Sequence, residues 1–171
     1  MFRITQFMQE IARPTPLTPK RHPPGPVVIW NLVRRCNLAC KHCYSISADT
    51  DFPGELTTDE VFGVMEDLRR FRVPVLILSG GEPLLRPDIY TIARRAKDLG
   101  FYVALSSNGT LIDKTNIARI AEVGFDYVGV SLDGIAETHD RFRRQAGAFD
   151  ASLNGIRLCW AHGIKVGIRY T

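Results

Sequence analysis

The chain has 171 residues, 45% apolar and 23% charged, which suits one folded domain with its own core and excludes wholesale disorder. No apolar run approaches the roughly 18–20 residues of a membrane-spanning helix, and residues 1–10 lack the apolar stretch and cleavage site of a secretion signal. The net charge of +4 comes from basic residues spread along the chain with no stacking aromatics between them, which argues against nucleic acid as a partner.

Residues 1–26 read as an arm along the outside of the domain, and residues 27–171 as its core. In the arm, Phe2, Ile4, Phe7, Met8 and Ile11 suit one short amphipathic helix. Six prolines between Pro14 and Pro26 forbid regular structure after it. Val27 to Val33 is a nearly continuous apolar run rich in β-branched residues, the pattern of a strand buried on both faces. After a cysteine-bearing loop, Thr57 and Glu60 form a capping box that opens a helix with Val61, Met65 and Leu68 inward.

A second strand is expected over 73–78, then a helix opened by Pro87 with Ile89, Ile92, Ala93 and Ala96 inward and Gly100 at its end. Further strands are expected over 101–106, 127–132 and 164–170. Helices are expected over 113–123 and 149–161, the last with Phe149, Leu153, Ile156 and Trp160 at helical spacing. Strands alternating with helices imply right-handed βαβ units and a parallel sheet, hence an α/β fold: an open doubly wound sheet, or a full or partial (β/α) barrel. In each of these, chemistry belongs at the loops leaving the C-terminal ends of strands. Every unusual motif of this chain falls there.

The first is Cys36-x3-Cys40-x2-Cys43. Without an export signal the compartment is expected to be the reducing cytoplasm, where clustered thiols suggest metal rather than disulfides. A closed structural zinc site wants four ligands, usually as two separated pairs, and His42 beside Cys43 is poorly placed to be the fourth. A 4Fe–4S cluster ordinarily takes four thiolates, so three leave one iron open to a small molecule. The remaining cysteine, Cys159, reads as a small core residue.

Gly80-Gly81-Glu82-Pro83 follows the second strand. It reads either as a plain turn or as a place where a ligand meets bare backbone and Glu82 meets an ammonium. Ser106-Ser107-Asn108-Gly109 follows the third strand, where a polar turn is the simpler reading. Ser131-Leu132-Asp133-Gly134 follows the fourth, with Arg143 soon after, and a helix cap with a solvated arginine is the simpler account there. His139 reads as structural.

The cysteine loop after the first strand, together with the glycine–glutamate motif after the second, resembles the signature of the radical S-adenosylmethionine (SAM) superfamily. The resemblance covers residues 27–171 and implies a partial (β/α)6 TIM-like barrel. That barrel would be cut short after strand five here. It implies that Cys36, Cys40 and Cys43 hold a 4Fe–4S cluster and that SAM chelates the open iron. Reductive cleavage of SAM would then give a 5′-deoxyadenosyl radical that abstracts hydrogen from substrate. On the matching positions, Gly80, Gly81, Glu82 and Pro83 would bind the SAM amino group, Ser106 and Asn108 its ribose and carboxylate, and Arg143 its carboxylate. Ser131 and Asp133 would lie near ribose and substrate. His42 stands where the family usually has an aromatic residue against adenine, with Tyr44 alongside.

Within the family the chain is similar to the branch that modifies peptides and tetrapyrroles, and most to its haem d1 biosynthesis members. That implies removal of propionate side chains from didecarboxysirohaem. The partners implied are SAM, an anionic tetrapyrrole and an electron donor such as flavodoxin or ferredoxin, with neither nucleic acid nor membrane. The alternatives are a related haem-biosynthesis enzyme, a peptide-modifying maturase, or a non-enzymatic protein that holds a cluster.

Overall fold

Five apolar segments build the sheet of the computed structural model, which describes Met8, Ile11, Ala12 and residues 25–170; the helix and outer course expected of the arm lie outside the described residues. The strands are β1 (Val27–Val33), β2 (Val75–Gly80), β3 (Tyr102–Ser107), β4 (Tyr127–Leu132) and β5 (Val166–Tyr170). All neighbours pair in parallel and in sequence order, β1-β2-β3-β4-β5. Among the described residues the helices are α1 (Thr58–Arg70), α2 (Ile89–Asp98), α3 (Ile117–Val123), α4 (Glu137–Arg143) and α5 (Ala148–Ala161), with a 3-10 turn at Pro83–Leu85.

Because side chains alternate along a strand, Leu76, Leu78, Val103, Leu105, Val128 and Val130 all fall on one face. There they join Val61, Met65, Ile92, Ala96, Ile120 and Cys159 from the helices in one core. The opposite face carries Ser79, Ser106, Tyr127, Ser131 and Arg169, and these line a cavity. A parallel sheet wound in sequence order, helices on one side and a polar cavity on the other, has the layout of a partial (β/α) barrel.

Local signals were obeyed where they were strong. Thr57 and Glu60 form both reciprocal bonds of the capping box, and Gly124 ends α3 in the left-handed region at φ 69°. Four expectations are corrected. β1 is not buried on both faces: Val27 is 53% and Ile29 51% exposed, since β1 pairs on one side only and Ile29 faces the cavity. The most buried stripe of α5 is Ala148, Ser152, Gly155 and Cys159; of the expected residues Ile156 packs half-buried against the core, and Trp160 is turned out at 78% exposure. Small residues face inward there because α5 lies against the β3–α3 loop, where a Cβ on Gly155 would stand 2.5 Å from the Gly109 carbonyl oxygen.

The helix expected to open at Pro87 opens at Ile89 instead, because the Asp88 carboxylate is occupied by Arg86 (2.8 Å) and the Thr58 hydroxyl (2.6 Å) rather than by a cap. Residues 113–116 fold into side-chain turns, Asp113 accepting from the Thr115 amide (2.7 Å), so α3 starts at Ile117. The short helix α4 was signalled only by the cap suggested at Ser131 and Asp133, and its N-cap is Ala136 instead.

Candidate active site

A cavity of about 900 Å³ opens at the C-terminal ends of the strands and is lined by all three motif cysteines. A pocket of this size suits a ligand of roughly SAM's dimensions.

The cysteine loop is rooted by backbone and amide contacts. The Cys36 amide donates to Ala48 (3.0 Å) and the Lys41 amide to Phe142 (2.8 Å). Asn37 donates to the Thr110 hydroxyl (2.9 Å) and accepts from the Asn108 side chain (3.0 Å), which clasps the loop to the end of β3. The glycine pair serves the same loop. The Gly81 amide donates to the Val33 carbonyl (2.7 Å) and the Glu82 amide to that of Arg35 (2.9 Å). A Cβ on Gly81 would stand 2.4 Å from the Arg35 oxygen, and one on Gly80 2.3 Å from that of Val33. These glycines admit the backbone that launches the cysteine loop, and both also line the cavity.

Glu82 does not meet the cavity as the sequence suggested. It is wholly buried, and its carboxylate accepts from the Ser107 hydroxyl (2.9 Å) and from the amides of Asn108 (2.8 Å) and Leu84 (3.2 Å). Burial pushes its pKa up to about 7 against the pull of these donors. Glu82 is thus a strut joining the loops after β2 and β3. Pro83 is buried behind it and opens the 3-10 turn.

On the far side, α4 presents Arg143 to the cavity. Its guanidinium pairs with Asp133 (2.7 Å) and donates to the Cys40 sulfur (3.5 Å). His42 Nε2 also approaches Asp133 (3.2 Å), while its ring meets Phe142 edge-on at 5.7 Å. Asp133 is held behind these groups and is itself buried. His139, fully buried, accepts from the Asp133 amide at Nδ1 (3.1 Å), and burial lowers its pKa, as suits a neutral structural imidazole. Ser106, Asn108, Ser131 and Tyr44 line the cavity, the Tyr44 hydroxyl donating to Asn31 (3.4 Å) at the rim.

Several cavity residues escaped the sequence reading as site candidates, among them Ser79, Tyr127 and Arg169. Arg169 on β5 donates to the Ser106 hydroxyl and to the Gly129 carbonyl (3.0 Å). Its only sequence signal was a charge at an inward position of an otherwise apolar strand.

The donor set fits a cluster in kind: three soft sulfur ligands on one wall with no carboxylate among them. In place, however, the expected convergence is not closed. Among the described residues no three His, Cys, Asp or Glu side chains gather closely enough to hold a metal ion. The Cys43 thiol instead donates to the Ser45 carbonyl (3.0 Å), and burial raises the Cys36 pKa to about 11, keeping it protonated. Ligation by the triad would require the thiols to be deprotonated and the Cys43 thiol to leave the Ser45 carbonyl.

Comparison with known proteins bears on this site. The family model described as Radical SAM superfamily matches residues 30–171. The chain is 54% identical over 171 residues to the pre-heme d1 synthase of Dinoroseobacter shibae and 51% identical over 146 residues to the Fe-coproporphyrin III synthase of Methanosarcina barkeri. These alignments cover 100% and 85% of this chain but 42% and 37% of the relatives, so the chain spans about two fifths of their length. Native anSMEcpe with bound AdoMet and Kp18Cys peptide superposes with a TM-score of 0.68 at 22% identity, over 85% of this chain and 43% of that one, a likeness of fold. The chain belongs to the radical SAM superfamily, whose cofactors are a 4Fe–4S cluster and S-adenosylmethionine.

Proposed function

We propose that Cys36, Cys40 and Cys43 ligate the cluster and that the cavity beside them holds SAM for its reductive cleavage, in service of haem d1 biosynthesis. The observation that carries this reading is the joint placement of the three thiols with the loops after β2, β3 and β4 around one cavity. When bound, the cluster supplies the electron that cleaves SAM, and SAM supplies the 5′-deoxyadenosyl group that abstracts hydrogen.

The chain's own residues bind and orient. The backbone of Gly80 and Gly81 and the polar groups of Ser106, Asn108 and Ser131 offer hydrogen bonds to the amino acid and ribose ends of SAM. Arg143 brings positive charge, moderated by Asp133, to the carboxylate end and to Cys40. Glu82 and Pro83 act at one remove, by fixing the loop that carries the glycines. His42 and Tyr44 form the rim on the adenine side.

The substrate reading is a sirohaem-derived tetrapyrrole that loses propionate side chains; the names of the two relatives above support its tetrapyrrole part. A one-electron donor such as flavodoxin or ferredoxin, in a reducing cytoplasm, completes the scheme. Among the described residues no helix is long and apolar enough to cross a membrane.

The test is anaerobic cluster reconstitution followed by addition of SAM under reducing conditions. The expected result is a changed cluster EPR signal and formation of 5′-deoxyadenosine. An unchanged signal with no nucleoside overturns the reading. Incubation with didecarboxysirohaem tests the substrate, and an unchanged tetrapyrrole mass alongside active SAM cleavage removes that part alone.

A further inference from the structure

We propose that Arg169 is the specificity residue that seats a carboxylate of the substrate inside the cavity; this rests on the tetrapyrrole reading above.

The two cavity arginines differ in how their charge is spent. Arg143 is paired with Asp133 at 2.7 Å. Among the described residues Arg169 forms no ion pair with any carboxylate, and its recorded hydrogen bonds go to neutral oxygens, the Ser106 hydroxyl and the Gly129 carbonyl. Burial pulls its pKa down. Glu82 acts on this guanidinium through space but makes no ion-pair contact with it. A buried guanidinium with no carboxylate in contact is costly, and an incoming carboxylate with matching bidentate geometry offsets that cost.

The sheet is shaped to hold the side chain there. A Cβ on Gly129 of β4 would stand 2.8 Å from Arg169 Nε, and a Cβ on Gly167 of β5 would stand 2.3 Å from the Tyr127 hydroxyl. Gly129 and Gly167 are register partners, and the bare backbone of this glycine pair leaves room for the side chains of Tyr127 and Arg169, both of which face the cavity.

The surroundings suit a flat apolar body with an acidic fringe. Ile29 and Tyr44 line the same cavity and are 51% and 80% exposed, while Ile168 and Tyr170 alternate with Arg169 along β5 and border the cavity only at the sheet edge, 54% and 73% exposed. An apolar macrocycle covers such side chains while a propionate reaches Arg169.

The test titrates didecarboxysirohaem into anaerobically reconstituted protein by absorbance, and SAM in parallel by calorimetry. In Arg169→Gln, tetrapyrrole affinity falls about tenfold or more, as expected for one lost charge-assisted contact. Iron content stays level, and SAM affinity falls far less than tetrapyrrole affinity, through the lost bond to the Ser106 hydroxyl alone. Arg169→Lys restores part of the tetrapyrrole affinity. Unchanged tetrapyrrole binding in Arg169→Gln overturns the assignment. So does a parallel fall in SAM affinity, which places Arg169 in the SAM site. Should Arg169→Gln lose its iron, Arg169→Lys decides: weaker tetrapyrrole binding at constant SAM affinity supports the assignment, and no change overturns it. If the wild-type protein binds SAM but no tetrapyrrole, the substrate reading fails and takes this inference with it, an outcome separate from wild-type binding that is indifferent to Arg169.

Discussion

The loops after β2 and β3 and the cysteine loop face one cavity but are built in opposite ways. Glu82, Ser107 and Asn108 are buried and bonded to one another, a cradle whose geometry is set by its own hydrogen bonds. The cysteine loop is pinned at Arg35, Cys36, Asn37 and Lys41, yet beyond them Cys43 is exposed, Tyr44 is 80% exposed and Ile46 79%. A segment with so little buried surface aims its last thiol only by local bonds, the Cys43 thiol to the Ser45 carbonyl and the Cys43 amide to the Cys40 carbonyl. Its final geometry has to come from what it binds, whereas the cradle is ready beforehand.

Four substitutions and one pH series break or sharpen that contrast. Cys40→Ala removes a ligand from the loosely held side. Iron content should fall and SAM cleavage should drop by about 100-fold or more, with little change in the sheet by circular dichroism. Cleavage above a tenth of wild type would remove the triad from the mechanism.

Gly81→Ala attacks the cradle where it meets the loop. With a Cβ 2.4 Å from the Arg35 oxygen, both backbones must part, which should cost about 3–4 kcal/mol in denaturant unfolding and lower iron content as well.

Glu82 gives the cradle a pH dependence. Its folded pKa of about 7 lies above the ordinary 4.5, so the folded state holds the proton more tightly than the unfolded chain. This contribution to stability is fully present below 4.5 and is lost as pH rises to about 7, a decline on the order of 3 kcal/mol. Glu82→Gln should flatten that decline, seen by comparing unfolding free energies of the two proteins at pH 5 and 7.5. Parallel profiles would show that Glu82 titrates normally.

Asn108→Ala opens the clasp between the two regions by removing the bond to Asn37 and those accepted from Thr110. A loss of about 1–2 kcal/mol is expected, with hydrogen exchange in residues 36–43 rising more than in β3. Trp160→Gln is the control: exposed at 78%, it should change stability by less than about 0.5 kcal/mol. A larger loss would restore the apolar stripe first expected on α5.

Much of the fold was legible because its signals are short-range. The capping box of Thr57 and Glu60 and the apolar strands act within a few residues, and the structure obeys them. The stripe of α5 was misread because a helix packed close to a backbone loop turns small residues inward, and Gly155 and Ser152 carry no apolar signal. Glu82 was legible as a motif member but not in direction, since what it bonds lies 25 and 26 residues further on. Arg169 was invisible for a related reason: it matters through Gly129 and Ser106 on two other strands.

The sequence alone determined the α/β order of elements and the positions of the cysteine, glycine and serine–asparagine loops at strand ends. Hydrophobic period and turn chemistry act locally and survive any arrangement in space. Only the tertiary structure decided which polar groups face the cavity: that Glu82 turns inward as a strut, that the glycines make room for the Val33 and Arg35 backbone, and that Arg169 enters the cavity. Those outcomes depend on side chains from separate strands competing for the same few ångströms, and that competition is written in no single stretch of the chain.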